Sequence, residues 1–179
     1  MGKTILIILC FLLLIQASYA WDWQVHPRIA EKAVEALPLE IQEKLNTTKL
    51  IEGSIAPDKD FHDNVLHHYP PSYNKTLYWL NITKIEFEKE NYNEASYAFG
   101  VASHYITDSF ATPHYIYKEP GWLHSKYEKQ PNEFEIQTTC KNKHLDLKDK
   151  LEYESTKTNL WSSWLETYDH SIPQNQVEL

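Results

Sequence analysis

The chain has 179 residues, of which 42% are hydrophobic and 13% aromatic, and its formal net charge is −8. This length is typical of one domain, and the hydrophobic content is sufficient for a core. The acidic excess argues against electrostatic binding to nucleic acid or to an anionic membrane. The presence of only two cysteines argues against a scaffold that is cross-linked by several disulfides.

The amino-terminal residues have the pattern of an export signal. Lys3 supplies a positive start, residues 5–15 form a compact apolar run, and Ser18-Tyr19-Ala20 offers small residues to a signal peptidase. The apolar run is too short to span a membrane as a helix. We therefore predict a signal peptide over residues 1–20, no stable membrane insertion, and an exported mature domain over residues 21–179 that begins at Trp21.

Export affects how the cysteines and histidines are interpreted. Cys10 would be removed with the signal, so Cys140 would remain as a single thiol and no internal disulfide could form. Nine histidines are many for a chain of this length, and metal ions can replace disulfides as cross-links. Three short N-x-Ser/Thr patterns, at Asn46, Asn74 and Asn81, suit an exported surface.

The mature chain begins with helical patterns that are separated by prolines. An apolar stripe over residues 29–37 predicts a helix that begins near Pro27 and is closed by Pro38. Residues 39–45 predict a shorter helix. We expect both to pack in one bundle.

A segment rich in candidate ligands follows. Residues 51–56 run apolar into Pro57-Asp58, and residues 59–71 show no periodicity. We therefore expect a loop here. It would carry Asp58 and the histidines His62, His67 and His68.

The second half of the chain again shows helical periods. Helices are predicted over residues 77–90, from residues 91–93 onward, over 121–129 and over 145–168. No repeat, strand alternation or low-complexity linker interrupts them, which predicts an all-α, single-domain helical bundle. The side chains expected in its core are Trp79, Leu80, Ile85, Phe87, Leu151, Leu160, Trp161, Trp164 and Leu165.

The most informative stretch is residues 103–114. Small residues between positions 95 and 102 favour a closely packed helix leading into it, and a helix returns His104 and Asp108 to one face. Pro113 cannot continue that helix, so His114 would lie on the exit loop near the same end. Imidazole and carboxylate are preferred zinc ligands after thiolate. The alternative is an ordinary His–Asp pair on the helix surface.

Other candidate ligands fall at the ends of the remaining helices. His124 and Glu128 share a helix face, and His26 stands near the start of its helix. After cleavage, the free α-amino group and the carbonyl oxygen of Trp21 could chelate a metal together. We therefore predict a metal cluster at the helix ends of the bundle.

This set resembles the zinc-dependent phospholipase C family and its relatives, the secreted three-zinc nucleases that act on single strands. The Trp21-to-His26 spacing is similar to the nuclease branch, whereas Glu128 in the last ligand position is similar to the phospholipase branch. The resemblance spans the mature chain in one order and rests on Trp21, His26, Pro57-Asp58, His67, His104-x3-Asp108-x5-His114 and His124-x3-Glu128.

The resemblance implies an all-α fold and three zinc ions, with Asp108 bridging two of them. His67 is preferred as a ligand because bulky residues follow it, with His68 as the alternative. Asp60 is a weaker rival to Asp58, His62 is a possible extra contact, and His144 and His170 receive no role. The implied ligand sets are Asp58, His67, His104 and Asp108 for one zinc, Trp21, His26 and Asp108 for the second, and His114, His124 and Glu128 for the third.

The implied activity is phosphate ester hydrolysis by zinc-activated water, with Asp58 or Glu128 orienting that water as an added catalytic role. A phospholipid is the favoured substrate, and aromatic residues around Tyr69 and Tyr73 could contact a cationic head group. A single-strand nuclease is the first alternative, with nucleic acid less favoured because no basic groove is evident. A secreted, non-catalytic zinc-binding protein is the second. The candidate platforms for stacking bases are Tyr105, Tyr115, Tyr117 and Trp122.

Overall fold

The computed structural model describes residues 24–63, 65–115, 121–130, 136 and 146–156. Within these ranges every regular element is helical, which confirms the all-α prediction. Residues 1–20 and Trp21 lie outside the described part, so the signal peptide stays a prediction. The elements are α1 (Val25–Glu35), α2 (Leu39–Gln42), α3 (Thr47–Lys59), α4 (Pro71–Glu88), α5 (Tyr92–Phe110), a 3₁₀ helix (Thr112–Tyr115), α6 (Gly121–Lys129) and α7 (Leu147–Ser155).

Helix α5 is the centre of the bundle, and α3 and α4 pack along it. Its small side chains Ala95, Ala98 and Ala102 are fully or almost fully buried. A Cβ atom on Gly100 would lie 2.2 Å from the Leu50 carbonyl oxygen, and one on Gly53 would lie 2.0 Å from the carbonyl oxygen of Tyr97. The backbones of α3 and α5 are therefore in direct contact, which only glycine permits at these two positions.

Helix α3 continues through Pro57, so the prediction of a loop at Asp58 is wrong. The Asn46 side chain caps the start of the helix by accepting the Lys49 amide hydrogen at 3.1 Å. At the other end, the amide groups of Asp60 and Phe61 both donate to the Ala56 carbonyl oxygen. We attribute the continued helix to its close packing on α5, which outweighs the helix-breaking tendency of proline.

Helix α4 begins at Pro71, six residues earlier than predicted, because proline is well suited to the first turn of a helix. Its fully buried side chains are the polar Ser72 and Thr76. The predicted core residues Trp79, Leu80, Ile85 and Phe87 are only partly buried, so that part of the core prediction is wrong.

The remaining helices match their predicted places to different degrees. Helix α1 begins two residues before Pro27, α2 has only four residues, and α6 has the predicted bounds. Helix α7 begins where Asp146 caps it and ends before Thr156, earlier than expected. Its Leu151 is buried as predicted, whereas Leu160, Trp161, Trp164 and Leu165 lie outside the described residues. None of the described helices has the length and apolar character needed to cross a membrane.

Candidate metal centre

The centre is built on the carboxyl-terminal half of α5, where one helical turn aligns His104 with Asp108. Nε2 of His104 lies 3.1 Å from Oδ2 of Asp108, and both side chains are completely buried. The interpretation as a surface ion pair is therefore wrong. Burial of a carboxylate requires compensating positive charge or hydrogen bonds, and the surrounding histidines supply candidates for both.

Helix α3 orients the His104 ring. Nδ1 of His104 lies 2.8 Å from the carbonyl oxygen of Ser54. Because a carbonyl oxygen only accepts, Nδ1 carries the hydrogen and Nε2 is directed into the centre. There, Nε2 also lies 3.5 Å from Oδ1 of Asp58, which α3 supplies from its last turn. A backbone acceptor of this kind is a common way to orient a metal-binding histidine.

Two further histidines complete this side of the centre. Nε2 of His26, from the first turn of α1, lies 3.4 Å from Oδ1 of Asp108, and its ring stacks on His104 with centroids 4.0 Å apart. Nδ1 of His67 contacts Oδ2 of Asp108, and Nε2 of His67 lies 3.6 Å from Oδ1 of Asp58. One ligand atom each from Asp58, His67 and His104 lie within 4.8 Å of one another, as do those of His26, His104 and Asp108.

The neighbouring His68 points elsewhere. His67 is buried, whereas His68 is partly buried and lies edge-on to Tyr115 with ring centroids 6.0 Å apart. This placement favours His67 as the candidate ligand. The rivals Asp60 and His62 are both exposed.

The second side of the centre comes from the 3₁₀ helix and α6. His124 contacts Glu128 across one turn of α6, and these two share a group within 4.8 Å with His114. Nε2 of His114 also lies 3.8 Å from Oδ1 of Asp108, which links the two sides. The side chains of His114 and His124 are each 10% exposed, against 0% for Asp108. Solvent therefore reaches the centre from the side of His114 and His124.

Burial and mutual charge shift the pKa values of these groups strongly. Burial lowers the pKa of His114 to about 3 despite the nearby Asp108 carboxylate, and burial together with His104 lowers that of His26. For His104, the carboxylates of Asp108 and Asp58 outweigh burial and raise the pKa to about 10. Burial raises the pKa of Glu128 to about 8, although His124 opposes it.

Buried polar atoms without a hydrogen-bond partner concentrate in this centre within the described residues. Each such atom carries a desolvation penalty on the order of 1–3 kcal/mol, and a bound cation would relieve it. Imidazole nitrogens and carboxylate oxygens are donors that zinc accepts. The donor set therefore fits metal ions. The atoms are both ring nitrogens of His26, Oδ2 of Asp58, Nε2 of His67, Oδ1 of Asp108 and Nε2 of His114, and the exception among the described residues is Oγ1 of Thr76 in α4.

Eight of the nine predicted metal ligands thus converge on one region, and Trp21 lies outside the described residues. The predictions for Cys140, His144 and His170 also fall outside that part. Sequence reasoning missed Asp63 as a supporting residue and treated Tyr105 only as a stacking candidate. Their proximity to His67 and His104 in sequence was the available signal.

The aromatic candidates for substrate contact have mixed outcomes. Tyr105 is completely buried, so it cannot present a face to a base as proposed for a nuclease. The hydroxyl of Tyr115 is engaged in hydrogen bonds, while Trp122 is 64% exposed and Tyr117 lies outside the described residues. The Tyr69 hydroxyl donates to Glu152 at 3.2 Å.

Comparison with known proteins agrees with this geometry. A family model described as zinc-dependent phospholipase C matches residues 25–171, which is most of the chain. No curated protein and no solved structure matches. The matched segment contains all eight described residues of the candidate centre. The chain belongs to the zinc-dependent phospholipase C family and is, accordingly, a phosphoric ester hydrolase.

Proposed function

We propose that this protein is an exported phosphodiester hydrolase of phospholipase C type that uses three zinc ions. One observation carries the proposal: imidazole and carboxylate groups from five helical elements and one connection meet at a buried centre, where several polar atoms have no hydrogen-bond partner among the described residues. Such a centre is costly for a protein to maintain unless cations occupy it.

The proposed ligand sets are those that the family resemblance implies, and the convergence of their described members supports them. Asp58, His67, His104 and Asp108 would hold the first zinc, and His26 with Asp108 and the amino-terminal Trp21 the second. His114, His124 and Glu128 would hold the third. A set of only three protein ligands suits a catalytic site, because one position stays available to water or substrate.

The proposed catalytic carboxylate is Asp58. When bound, zinc supplies a Lewis acid that offsets phosphate charge and lowers the pKa of water towards neutrality. Oδ1 of Asp58 faces two imidazoles, whereas its Oδ2 has no hydrogen-bond partner among the described residues. Asp58 Oδ2 would therefore orient the attacking water, accept its proton and pass that proton to the departing alkoxide, which leaves as the alcohol. Glu128 is the second candidate, but its carboxylate already contacts His124.

The proposed substrate is a phospholipid. The family supports a lipid ester, and the acidic balance of the chain disfavours a polyanion such as nucleic acid. A substrate would enter from the side of His114 and His124, whose side chains are the most accessible of the centre at 10% exposure each. The head group that fits best is zwitterionic, because an anionic one would add repulsion.

Metal content and hydrolysis measured on one preparation test this function. We expect about three zinc ions per mature chain and turnover of a chromogenic phosphocholine ester that a chelator abolishes and zinc restores. Cleavage of single-stranded DNA in place of the ester would move the protein to the nuclease branch. Protein without bound zinc would contradict the proposal.

Export and processing have their own test. Mature protein that begins at Trp21 should be fully active, whereas one extra residue before Trp21 should weaken zinc binding at His26 and reduce activity. The physical reason is that only a free amino terminus offers an α-amino ligand. A matched control is the same residue added at the carboxyl terminus. Full activity of the extended amino terminus would exclude the terminal chelate while leaving the other two sites in place.

A further inference from the structure

The connection between α3 and α4 brings His67 to the centre, although its described residues, 60–63 and 65–70, form no regular secondary structure. A loop of this kind does not by itself hold an imidazole in one orientation, since each residue has two free backbone dihedrals. His67 nevertheless contacts both Asp108 and Asp58. Contacts elsewhere along the connection must therefore restrain it.

The first restraint lies before His67. The Tyr105 hydroxyl donates to Oδ2 of Asp63 at 2.8 Å, while Oδ1 of the same carboxylate accepts the amide hydrogens of Val65 and Leu66 at 3.2 and 3.0 Å. Asp63 thus stabilises the turn that precedes His67, and its bond with Tyr105 joins this turn to α5.

The same tyrosine also packs against the candidate ligands. The Tyr105 ring is completely buried and lies edge-on to His67 and to His104, with centroids 5.7 Å apart in both cases. Its ring sets the space available to both imidazoles, and its hydroxyl is committed to Asp63. Tyr105 therefore acts through other residues and does not contact a reacting group.

The second restraint lies after His67. The hydroxyl of Tyr115 accepts the amide hydrogen of Tyr69 at 3.1 Å and donates to the carbonyl oxygen of Ser109 at 2.8 Å. Ser109 belongs to the last turn of α5, directly after Asp108. This contact ties the connection to the helix end that bears Asp108.

We propose that the hydroxyls of Tyr105 and Tyr115 are positioning groups. They restrain the connection on both sides of His67 and so orient its imidazole for zinc binding. The inference rests on the proposed function, because it assigns His67 to the zinc site with Asp58 and His104. Two bonds from opposite sides restrain a ligand better than either alone, and supporting contacts of this kind usually change metal affinity by roughly 10–100-fold.

The test measures zinc affinity in full-length mature protein by competition with a chromogenic chelator. Tyr105→Phe and Tyr115→Phe each keep the ring and remove one hydroxyl. We expect each variant to bind one zinc ion with roughly 10-fold lower affinity. The double variant should bind that ion more weakly still, and the affinity for the other ions should not change. His67→Ala serves as the reference for complete loss of that site. Cobalt substitution supplies a second readout, because a displaced imidazole alters the visible absorption spectrum of the bound metal.

Tyr97→Phe is the matched control. Tyr97 lies about two turns before Tyr105 on α5, and its ring packs against the core cluster of Ala56, Val101 and Tyr105. We expect its zinc affinity and cobalt spectrum to remain within twofold of the unaltered protein. A thermal stability measurement on every variant separates loss of folding from loss of positioning.

The outcomes distinguish this inference from the proposed function. Both phenylalanine variants with unaltered zinc affinity and cobalt spectrum, even if less stable, would overturn the positioning role alone. If Tyr105→Phe does not fold, unaltered affinity in Tyr115→Phe would still overturn it. An unaltered protein that binds no zinc would overturn the proposed function together with this inference.

Discussion

The two sides of the metal centre are held by different means. The packed side, made of His26, Asp58, His67, His104 and Asp108, stands mainly on α1, α3 and α5. There, α3 and α5 approach so closely that Gly53 and Gly100 leave no space for a Cβ. The outer side, made of His114, His124 and Glu128, stands on a 3₁₀ helix and on nine-residue α6. Among the described elements, α6 makes few close backbone approaches to the other helices, although its Leu123 and Tyr127 side chains are buried.

The difference shows how a small bundle can support the two sides of a candidate metal centre differently. Helix packing orders the packed side before any ion binds, so little conformational entropy remains to be lost there. Among the described residues, the outer side has few backbone approaches to the other helices, so we expect bound ions to contribute more to joining its ligands. Local stability is expected to follow this division, since sparsely packed elements open at lower free energy.

The largest effect is expected from Asp108→Asn, which affects both sides. Asp108 lies within 4 Å of His26, His104 and His114, and the neutral amide cannot bridge two cations. We expect loss of about two zinc ions and at least ~100-fold lower turnover, measured by elemental analysis and ester hydrolysis. Asp60→Asn, at an exposed position of the same charge type, is the control. Three ions retained in Asp108→Asn would show that it bridges nothing.

The next effect concerns the packing of α3 on α5. Gly100→Ala would place a Cβ 2.2 Å from the Leu50 carbonyl oxygen, so the helices must move apart. We expect a destabilisation of ~1–3 kcal/mol in denaturant unfolding, with weaker zinc binding on the packed side. Gly121→Ala is the matched control, because a Cβ there meets no atom within 4 Å. Equal stability of the two variants would contradict the close approach.

The most local effect, confined mainly to one helix, should follow zinc removal. With zinc supplied at about 100 times its dissociation constant, chelation should speed amide exchange in α6 by roughly 100-fold, while α3 and α5 change less. Hydrogen exchange read by mass spectrometry can resolve these helices. Uniform loss of protection in α3, α5 and α6 would mean that the two sides are one cooperative unit.

Periodicity was sufficient to predict the fold class and the place of most helices. It failed at Pro57, where packing on α5 keeps the helix intact, and at α4, whose buried residues are Ser72 and Thr76. Both failures have one cause. Local propensity amounts to fractions of a kcal/mol per residue, and tertiary packing readily overrides it.

The sequence by itself determined which groups are available for the centre, because the i, i+4 spacings of His104 with Asp108 and of His124 with Glu128 follow from helix geometry. Only the tertiary structure decided that His67 and not His68 faces Asp108, and that the Tyr105 hydroxyl joins Asp63. These contacts link residues about 40 positions apart. Such distances depend on how helices pack and how a loop is restrained, and no local pattern encodes them.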